Sequence, residues 1–213
     1  MSPAQYGWSH VHRGASVCVL TMYHGPHAVL RPVTLLPLRS YAERHGYDLR
    51  VVDPVDGLPA SWGKVAALRE ALDTYPVVAW LDADTLIIDE SHPIDQELPP
   101  GATQALASDS RYPGGCTALW ALRREGASAL DAVWALRDRD WGREWEQGAL
   151  HHVLDEDQDL LDRTVFLDEA WGDLIGGHPS PIAIHNGYQA GDPANRARVL
   201  RRRRNQLAAR SAA

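Results

Sequence analysis

The sequence predicts a single α/β domain built on a mostly parallel sheet flanked by helices. Its 213 residues, 45% of them hydrophobic, suit one sizeable core. Three short runs read as strands, at 16–22, 47–52 and 77–81, and the first and last are apolar almost throughout, as strands buried on both faces are. Helical patterns lie between them. Strand, helix, strand, helix and strand in this order is typical of an open parallel sheet.

Each predicted element has its own local signal. Helices are predicted over 29–45 and 61–74, with Gly46 just past the first and Ser61 as N-cap of the second. The second half is predicted to contain strands at 105–108, 117–122, 164–167 and 182–185, and helices at 126–137, 145–154 and 193–209. We expect a flexible N-terminal arm over 1–15, the α/β domain over 16–192, and a basic C-terminal helix or tail over 193–213.

Composition excludes several classes of protein. The net charge of −7 argues against nucleic acid as a partner. Arginines 201–204 are a local exception and allow at most peripheral membrane contact through the C-terminus. There is no apolar run of transmembrane length and no signal-like h-region, so we expect a cytoplasmic protein. Its two cysteines, Cys18 and Cys116, are interpreted as reduced apolar side chains.

An acidic pair follows the third predicted strand. Asp82 and Asp84 stand directly after Val77–Leu81, and ligands of open α/β sheets bind at the carboxyl ends of strands. Two carboxylates there would attract a cation, and oxygen ligands favour Mg²⁺ or Mn²⁺, which bridge the phosphates of a nucleotide diphosphate. A solvated turn with N-capping aspartates is the alternative. Before this pair stands Lys64, the only lysine among 21 basic residues.

Five stretches resemble motifs of one enzyme family. They are YAERHGYDL at 41–49, SWGK at 61–64, WLDADTLI at 80–87, EQGAL at 146–150 and HNG at 185–187. Together, and in this order, they resemble the retaining glycosyltransferases of the α-galactosyl, mannosyl and xylosyl type, which have the GT-A fold. The resemblance implies a GT-A-like domain that transfers a sugar from a nucleotide-sugar donor, with UDP favoured, to a small-molecule, glycan or peptide acceptor.

The resemblance also implies residue roles. Asp82, Asp84 and His185 would bind the metal, and a nitrogen ligand tilts the choice from Mg²⁺ towards Mn²⁺. Gln147 and Glu146 would be catalytic, near the anomeric carbon, although both could instead be surface residues of an amphipathic helix. The donor-binding set is Thr21, Tyr23, Trp62, Lys64, Asp82, Ala83, Asn186 and Gly187. The sequence shows no obvious carboxylate nucleophile, so the resemblance implies same-face displacement with retention of the anomeric configuration.

The chain departs from the family pattern at two places. The family has Asn-x-Gly ahead of a strand that ends in Arg, and here the matching stretch is CTALWALR at 116–123. Glu146 replaces the family's Asp, which sets its carboxylate one methylene further out. These changes affect the expected donor-sugar and acceptor pockets.

Three other functions remain open on the residues alone. A phosphatase of the haloacid-dehalogenase kind has a similar acidic strand end, but Thr85 stands where that motif needs Gly. A nucleotidyltransferase could use the same acidic pair. A non-catalytic nucleotide-sugar-binding module is the third alternative.

Overall fold

The architecture is built on a seven-stranded sheet. The computed structural model describes residues 7–10, 14–109, 112–172, 178, 181–185 and 191–211. The strands are β1 (Gly7–His10), β2 (Val17–Thr21), β3 (Asp48–Val51), β4 (Val77–Leu81), β5 (Thr85–Ile87), β6 (Gln104–Asp109), β7 (Tyr112–Arg123), β8 (Thr164–Phe166) and β9 (Ala183–His185). The large sheet has the order β1-β3-β2-β4-β7-β6-β8, and β5 pairs with β9 in a separate small sheet.

Strand direction in the large sheet confirms the predicted class. β3, β2 and β4 are parallel neighbours, as are β6 and β8. β7 is antiparallel to both β4 and β6, so β6 and β8 point the same way as β4. Only β1, at one edge, and β7 run against the other five strands. The sheet is therefore mostly parallel, with one long reversed strand beside β4.

Alternating side chains on the central strands separate two apolar layers. On β2, Val17 and Val19 belong to one buried cluster, while Cys18 and Leu20 belong to the other. Trp80 on β4 packs on the same side as Cys18, opposite the side of Leu81. Successive side chains of a strand point to opposite faces, so a nearly continuous apolar run is what a strand covered on both faces requires.

Helices cover both faces of the sheet. They are α1 (Arg31–His45), α2 (Ala60–Ala71), α3 (Ala127–Ala135), α4 (Trp145–Glu156), α5 (Gln158–Asp162) and α6 (Pro193–Ser211). α1 packs on one face through Leu35, Leu38 and Tyr41. α2, α3 and α4 pack on the other. Within the described ranges, no helix is long and apolar enough to cross a membrane.

A third apolar cluster lies beside the small sheet. Leu86 of β5 and Ile184 of β9 pack with Leu30 and Val33 near the start of α1. The same cluster includes Ala197 and Leu200 of α6, so this helix is anchored against β5, β9 and the start of α1. This contact places the C-terminal helix near the carboxyl end of β4, which only three residues separate from β5.

Several elements differ from their predictions for identifiable reasons. The predicted arm over 1–15 contains β1, which pairs with the edge of β3. β5, three residues long, carries too little pattern to be read as a strand. The first helix begins at Arg31 rather than 29, after a 3₁₀ turn at Gly25–Leu30, and Pro32 lies in its first turn.

Gly46 provides a test of how α1 ends. Its backbone has φ 68°, the left-handed conformation that closes the helix, and its N–H bonds to the carbonyls of Ala42 and Glu43. Gly46→Ala is expected to lower the free energy of unfolding by about 1–2 kcal/mol, because a Cβ disfavours this conformation. Gly46→Asn is expected to lose less, since Asn tolerates positive φ. Urea denaturation measures both, and equal losses would contradict this account.

Candidate active site

The backbone after β4 is held from two sides. The Asp82 N–H donates to the carbonyl of Ala118 at 2.8 Å, which extends the pairing of β4 with β7. The Ala83 carbonyl accepts from the Thr34 hydroxyl of α1 at 2.9 Å. The N–H of Thr85 closes a turn onto the carbonyl of Asp82 at 2.9 Å. The two carboxylates of the acidic pair are therefore presented from a fixed loop.

A buried lysine lies at the centre of the site. The Lys64 ammonium, on α2, lies 3.0 Å from Asp82 Oδ1 and 2.8 Å from Glu146 Oε1. It also donates to the Thr117 carbonyl at 3.0 Å and contacts the Thr117 hydroxyl at 3.3 Å. An ammonium has three N–H donors, and these oxygens engage all of them. Lys64 thus joins α2 to β4, β7 and α4.

The surroundings of Lys64 keep it charged. Burial lowers the pKa of Lys64, but the attraction of Asp82 and Glu146 is larger in sum and holds that pKa above its ordinary value. The indole of Trp80 lies beneath the ammonium, 5.7 Å from nitrogen to ring centroid, and its N–H donates to Asp82 Oδ1 at 2.7 Å. A lysine in this state supplies fixed positive charge and does not serve as a base at neutral pH.

The two predicted catalytic residues point towards β7. Glu146 Oε1 accepts from the Thr117 hydroxyl at 2.9 Å as well as from Lys64. Gln147 Oε1 accepts from the Thr117 N–H at 3.1 Å. Glu146 is buried and Gln147 half-buried, so neither is a simple surface residue of an amphipathic helix. Both are positioned in the first turn of α4 by one residue of β7.

α4 begins in an unusual conformation. Trp145 has φ 48°, the only positive φ of a non-glycine residue within the described ranges. Its side chain remains 45% exposed although it is large and apolar. Strained backbone of this kind tends to occur at functional sites, where the surrounding structure enforces it. The strain brings Trp145 to the mouth of the site, next to Glu146.

Asp84 pairs with a residue from the far end of the chain. The Arg196 guanidinium, in the first turn of α6, lies 2.7 Å from Asp84 Oδ2. Both side chains are well protected, with 18% of Arg196 and 6% of Asp84 exposed. The acidic pair therefore faces two cations, with Lys64 on Asp82 and Arg196 on Asp84.

These groups line one pocket with a volume of about 650 Å³, within the range of ligand sites. Of the predicted site residues, it brings together Lys64, Asp82, Ala83, Asp84, Glu146 and Gln147. The rest of the described wall is formed by Met22, His24, His27, Ala60, Ser61, Trp80, Cys116, Thr117, Ala118, Arg143, Glu144, Trp145 and Arg196.

Other predicted donor-binding residues are placed differently. Thr21, Tyr23 and Trp62 are not part of this described wall. Trp62 is buried, with its ring edge-to-face against Trp134, and the Tyr23 hydroxyl bonds to Thr34 at 3.0 Å. Their contact with a donor stays a prediction.

The structure describes only the backbone of His185, the third predicted metal ligand. His185 ends β9, directly opposite Thr85 of β5, which follows the acidic pair. Its side chain, and all of Asn186 and Gly187, lie outside the described residues. Among the side chains described, no group of three or more His, Cys, Asp and Glu residues converges as a metal site. Asp82 and Asp84 supply the oxygen donors that a hard divalent cation prefers.

The two cysteines are separate and reduced. Cys18 is fully buried, and burial raises the pKa of its thiol to about 12. Cys116 is half-buried and lies in the wall of the pocket. No disulfide joins them, as the sequence predicted.

Sequence reasoning missed Arg196 and Thr117 as site residues. Thr117 falls in the stretch that departs from the family pattern, and its backbone and its hydroxyl both contribute. Arg196 is one of seven arginines in α6, a helix without an acidic residue, so no local signal distinguishes it. A pairing across 112 positions becomes visible only in the fold.

The comparisons with known proteins agree on the type of enzyme. Residues 38–109 match the sequence model of the galactosyl transferase GMA12/MNN10 family. In sequence, the chain matches no curated protein. The matched stretch carries Lys64, Asp82 and Asp84.

Several solved structures with a similar fold are glycosyltransferases. One that is involved in the glycosylation of the major capsid of PBCV-1 has a TM-score of 0.69 at 14% identity, over 86% of this chain and 98% of that one. GlyE from Streptococcus pneumoniae TIGR4 has 0.60 at 11% identity, over 92% of this chain and 64% of its own. A mutant of Drosophila β1,4-galactosyltransferase 7, in complex with manganese, UDP-Gal and xylobiose, has 0.53 at 14% identity, over 82% and 72% of the two chains.

At these identities the structures establish the fold, which is the GT-A fold of glycosyltransferases. Together with the family match they support a glycosyltransferase.

The buried lysine yields a stability prediction. Lys64→Met is expected to lower the free energy of unfolding by about 3–5 kcal/mol, because it leaves the buried carboxylate of Glu146 unpaired. The double variant Lys64→Met with Glu146→Gln is expected to recover much of this loss. Arg69→Met, which breaks exposed ion pairs to Asp73 and Asp131, is the control and should cost about 1 kcal/mol or less. If urea denaturation shows as small a loss of stability for Lys64→Met as for Arg69→Met, the central role of Lys64 is contradicted.

Proposed function

We propose that this chain transfers a sugar from a nucleotide-diphosphate sugar, with UDP favoured, to an acceptor hydroxyl, and that Asp82 and Asp84 hold a divalent cation for this reaction. The observation that carries the proposal is the pocket at the end of β4. It combines two carboxylates on a fixed loop with the charged side chains of Lys64 and Arg196. An anionic donor needs both features, a cation site and further positive charge nearby.

The residues present fit a divalent cation. Asp82 and Asp84 offer carboxylate oxygens in one pocket. The backbone of His185, at the end of β9, pairs with Thr85 of β5, one residue after Asp84. A cation bound there supplies positive charge against the negative charge that develops on the leaving diphosphate. We favour Mn²⁺ over Mg²⁺ because of the expected nitrogen ligand. The Drosophila enzyme of similar fold, in complex with manganese and UDP-Gal, supports this choice.

Lys64 contributes a fixed electrostatic field. Its three donors are engaged by Asp82, Glu146 and Thr117, so it orients the carboxylate of Asp82 in this structure. Such preorganised charge needs no rearrangement during the reaction, which is the main advantage of an enzyme site over water. We therefore interpret Lys64 as the group that aligns Asp82 and lowers the negative charge around the diphosphate.

The first turn of α4 forms the sugar side of the pocket. Gln147 is held through its carbonyl oxygen by the Thr117 N–H, and Glu146 is held by Lys64 and by the Thr117 hydroxyl. The exposed ring of Trp145 beside them is an apolar face of the kind on which a sugar ring packs. Because Glu146 is committed to an ion pair, we favour same-face displacement. In that reaction a departing diphosphate oxygen helps to deprotonate the acceptor, and the anomeric configuration is retained.

Ligand-induced stabilisation tests the donor site. UDP or a UDP-sugar at about 100 times its dissociation constant, with Mn²⁺, is expected to raise Tm by about 5–10 °C. The metal or the nucleotide alone should give a much smaller shift in Tm. The positive charge of the metal strengthens binding of the diphosphate, and the negative charge of the diphosphate strengthens binding of the metal. Asp84→Asn should abolish the joint shift, whereas Asp138→Asn, at an exposed position outside the pocket, should keep it. GDP and GDP-sugars are measured in parallel to identify the base.

The absence of any shift with every nucleotide and metal would remove the basis of the proposal. Release of phosphate from simple phosphomonoesters, or of pyrophosphate from nucleoside triphosphates, would favour the phosphatase and nucleotidyltransferase alternatives respectively.

Product stereochemistry tests the reaction course. With an α-configured donor, proton NMR of the first-formed product is expected to show an α-linked sugar, since retention preserves the anomeric configuration. Gln147→Ala is expected to lower kcat by about 10²-fold or more, because a residue beside the reacting carbon acts mainly in the transition state. A β-linked product would overturn same-face displacement and leave the donor site untouched.

A further inference from the structure

Arg196 occupies the position at which a cation would bind Asp84. Its guanidinium lies 2.7 Å from Asp84 Oδ2, a short charge-assisted hydrogen bond between two largely buried groups. A metal ion coordinated by that oxygen and a guanidinium bonded to it would compete for the same site. The metal role proposed for Asp84 therefore requires Arg196 to leave this oxygen, at least in part.

The charges around the acidic pair show where a released guanidinium would act. Three carboxylates, Asp82, Asp84 and Glu146, face two cations, Lys64 and Arg196, so this group carries a net charge of −1. A divalent cation and a diphosphate with two negative charges would together leave that sum unchanged. The cation would, however, replace Arg196 as the partner of Asp84, and the diphosphate would enter the same pocket. The diphosphate is then the natural new partner of the guanidinium, which binds phosphate with two parallel hydrogen bonds.

The anchoring of α6 makes this exchange a movement of one side chain. Ala197 and Leu200 are buried in the cluster with Leu30, Leu86 and Ile184, so the helix itself is fixed. The Arg196 Nε donates to the Gly191 carbonyl at 3.1 Å, just ahead of the helix. A long, flexible side chain on a fixed helix can change partners without movement of the backbone. Lys64 is more deeply buried, with 5% of its side chain exposed against 18% for Arg196.

We propose that Arg196 is the internal counter-ion of Asp84 in the metal-free protein and becomes a diphosphate-binding residue of the donor complex. The inference rests on the proposed function, since it assumes a metal at Asp84 and an anionic donor. It adds that α6 is a working part of the site, and that metal and donor binding are coupled through one guanidinium.

Two binding measurements with Arg196→Gln test this inference. Without nucleotide, the variant is expected to bind Mn²⁺ about tenfold more tightly than the wild type, because the competing cation is gone. Electron paramagnetic resonance of free Mn²⁺ gives this affinity. At saturating Mn²⁺, the same variant is expected to bind pyrophosphate about tenfold more weakly in calorimetry, the size of one charge-assisted hydrogen bond. Pyrophosphate carries no base, so the result does not depend on which nucleotide the enzyme uses.

Two further variants distinguish the exchange from a structural role. Arg196→Lys keeps the positive charge, so its Mn²⁺ affinity should stay near the wild-type value while pyrophosphate binding weakens. It also serves as the test if Arg196→Gln does not fold. Arg198→Gln removes an exposed arginine two residues along α6 and should leave both affinities unchanged.

The opposite signs of the two changes are decisive. If Arg196→Gln weakens both Mn²⁺ and pyrophosphate, Arg196 is only structural and the inference is wrong. It is also wrong if neither affinity changes. Failure of the wild type itself to bind Mn²⁺ or pyrophosphate would instead contradict the proposed function, which separates that outcome from failure of the Arg196 exchange.

Discussion

The arrangement of the site depends on one buried ammonium. Lys64 lies within 3.0 Å of carboxylates from β4 and α4 and of a carbonyl of β7. A buried charge is costly without a counter-charge, and Lys64 is the cation that pairs with both carboxylates. Its position on α2 therefore fixes how α4 approaches β4 and β7. The pocket has its shape because three elements must deliver their polar groups to one nitrogen.

Two cations of the pocket differ in how firmly they are held. Lys64 is shared by several partners and is buried, so its charge is a permanent feature of the site. Arg196 has a long side chain at the start of a helix, pairs with Asp84 and is more exposed than Lys64. Fixed charge preorganises a site, and exchangeable charge lets the empty site remain neutralised until ligands arrive. The combination suits the proposed binding of a metal ion and an anionic donor.

The family match and the site overlap only in part. Residues 38–109 contain Lys64, Asp82 and Asp84, which form the cation side of the pocket. Their partners Thr117, Glu146 and Arg196 lie beyond that stretch, as does the exposed Trp145. The fold holds over most of the chain, with a TM-score of 0.69 to the capsid glycosyltransferase at 14% identity. The family match thus covers the acidic strand end and Lys64, and the fold similarity extends over most of the chain.

The sequence by itself determined the parallel core of the sheet and the acidic pair at the end of β4. Those features are local, because an apolar run of five residues predicts a buried strand and two aspartates directly after it predict a site at the strand end, without reference to distant residues. Only the tertiary structure decided the rest. β5 is too short to carry a pattern, and β1 depends on pairing with an edge. The contacts of Lys64 with Thr117 and Glu146, and the Arg196–Asp84 pair, join residues 53 to 112 positions apart. Ion pairs depend on distance in space, and a sequence records only distance along the chain.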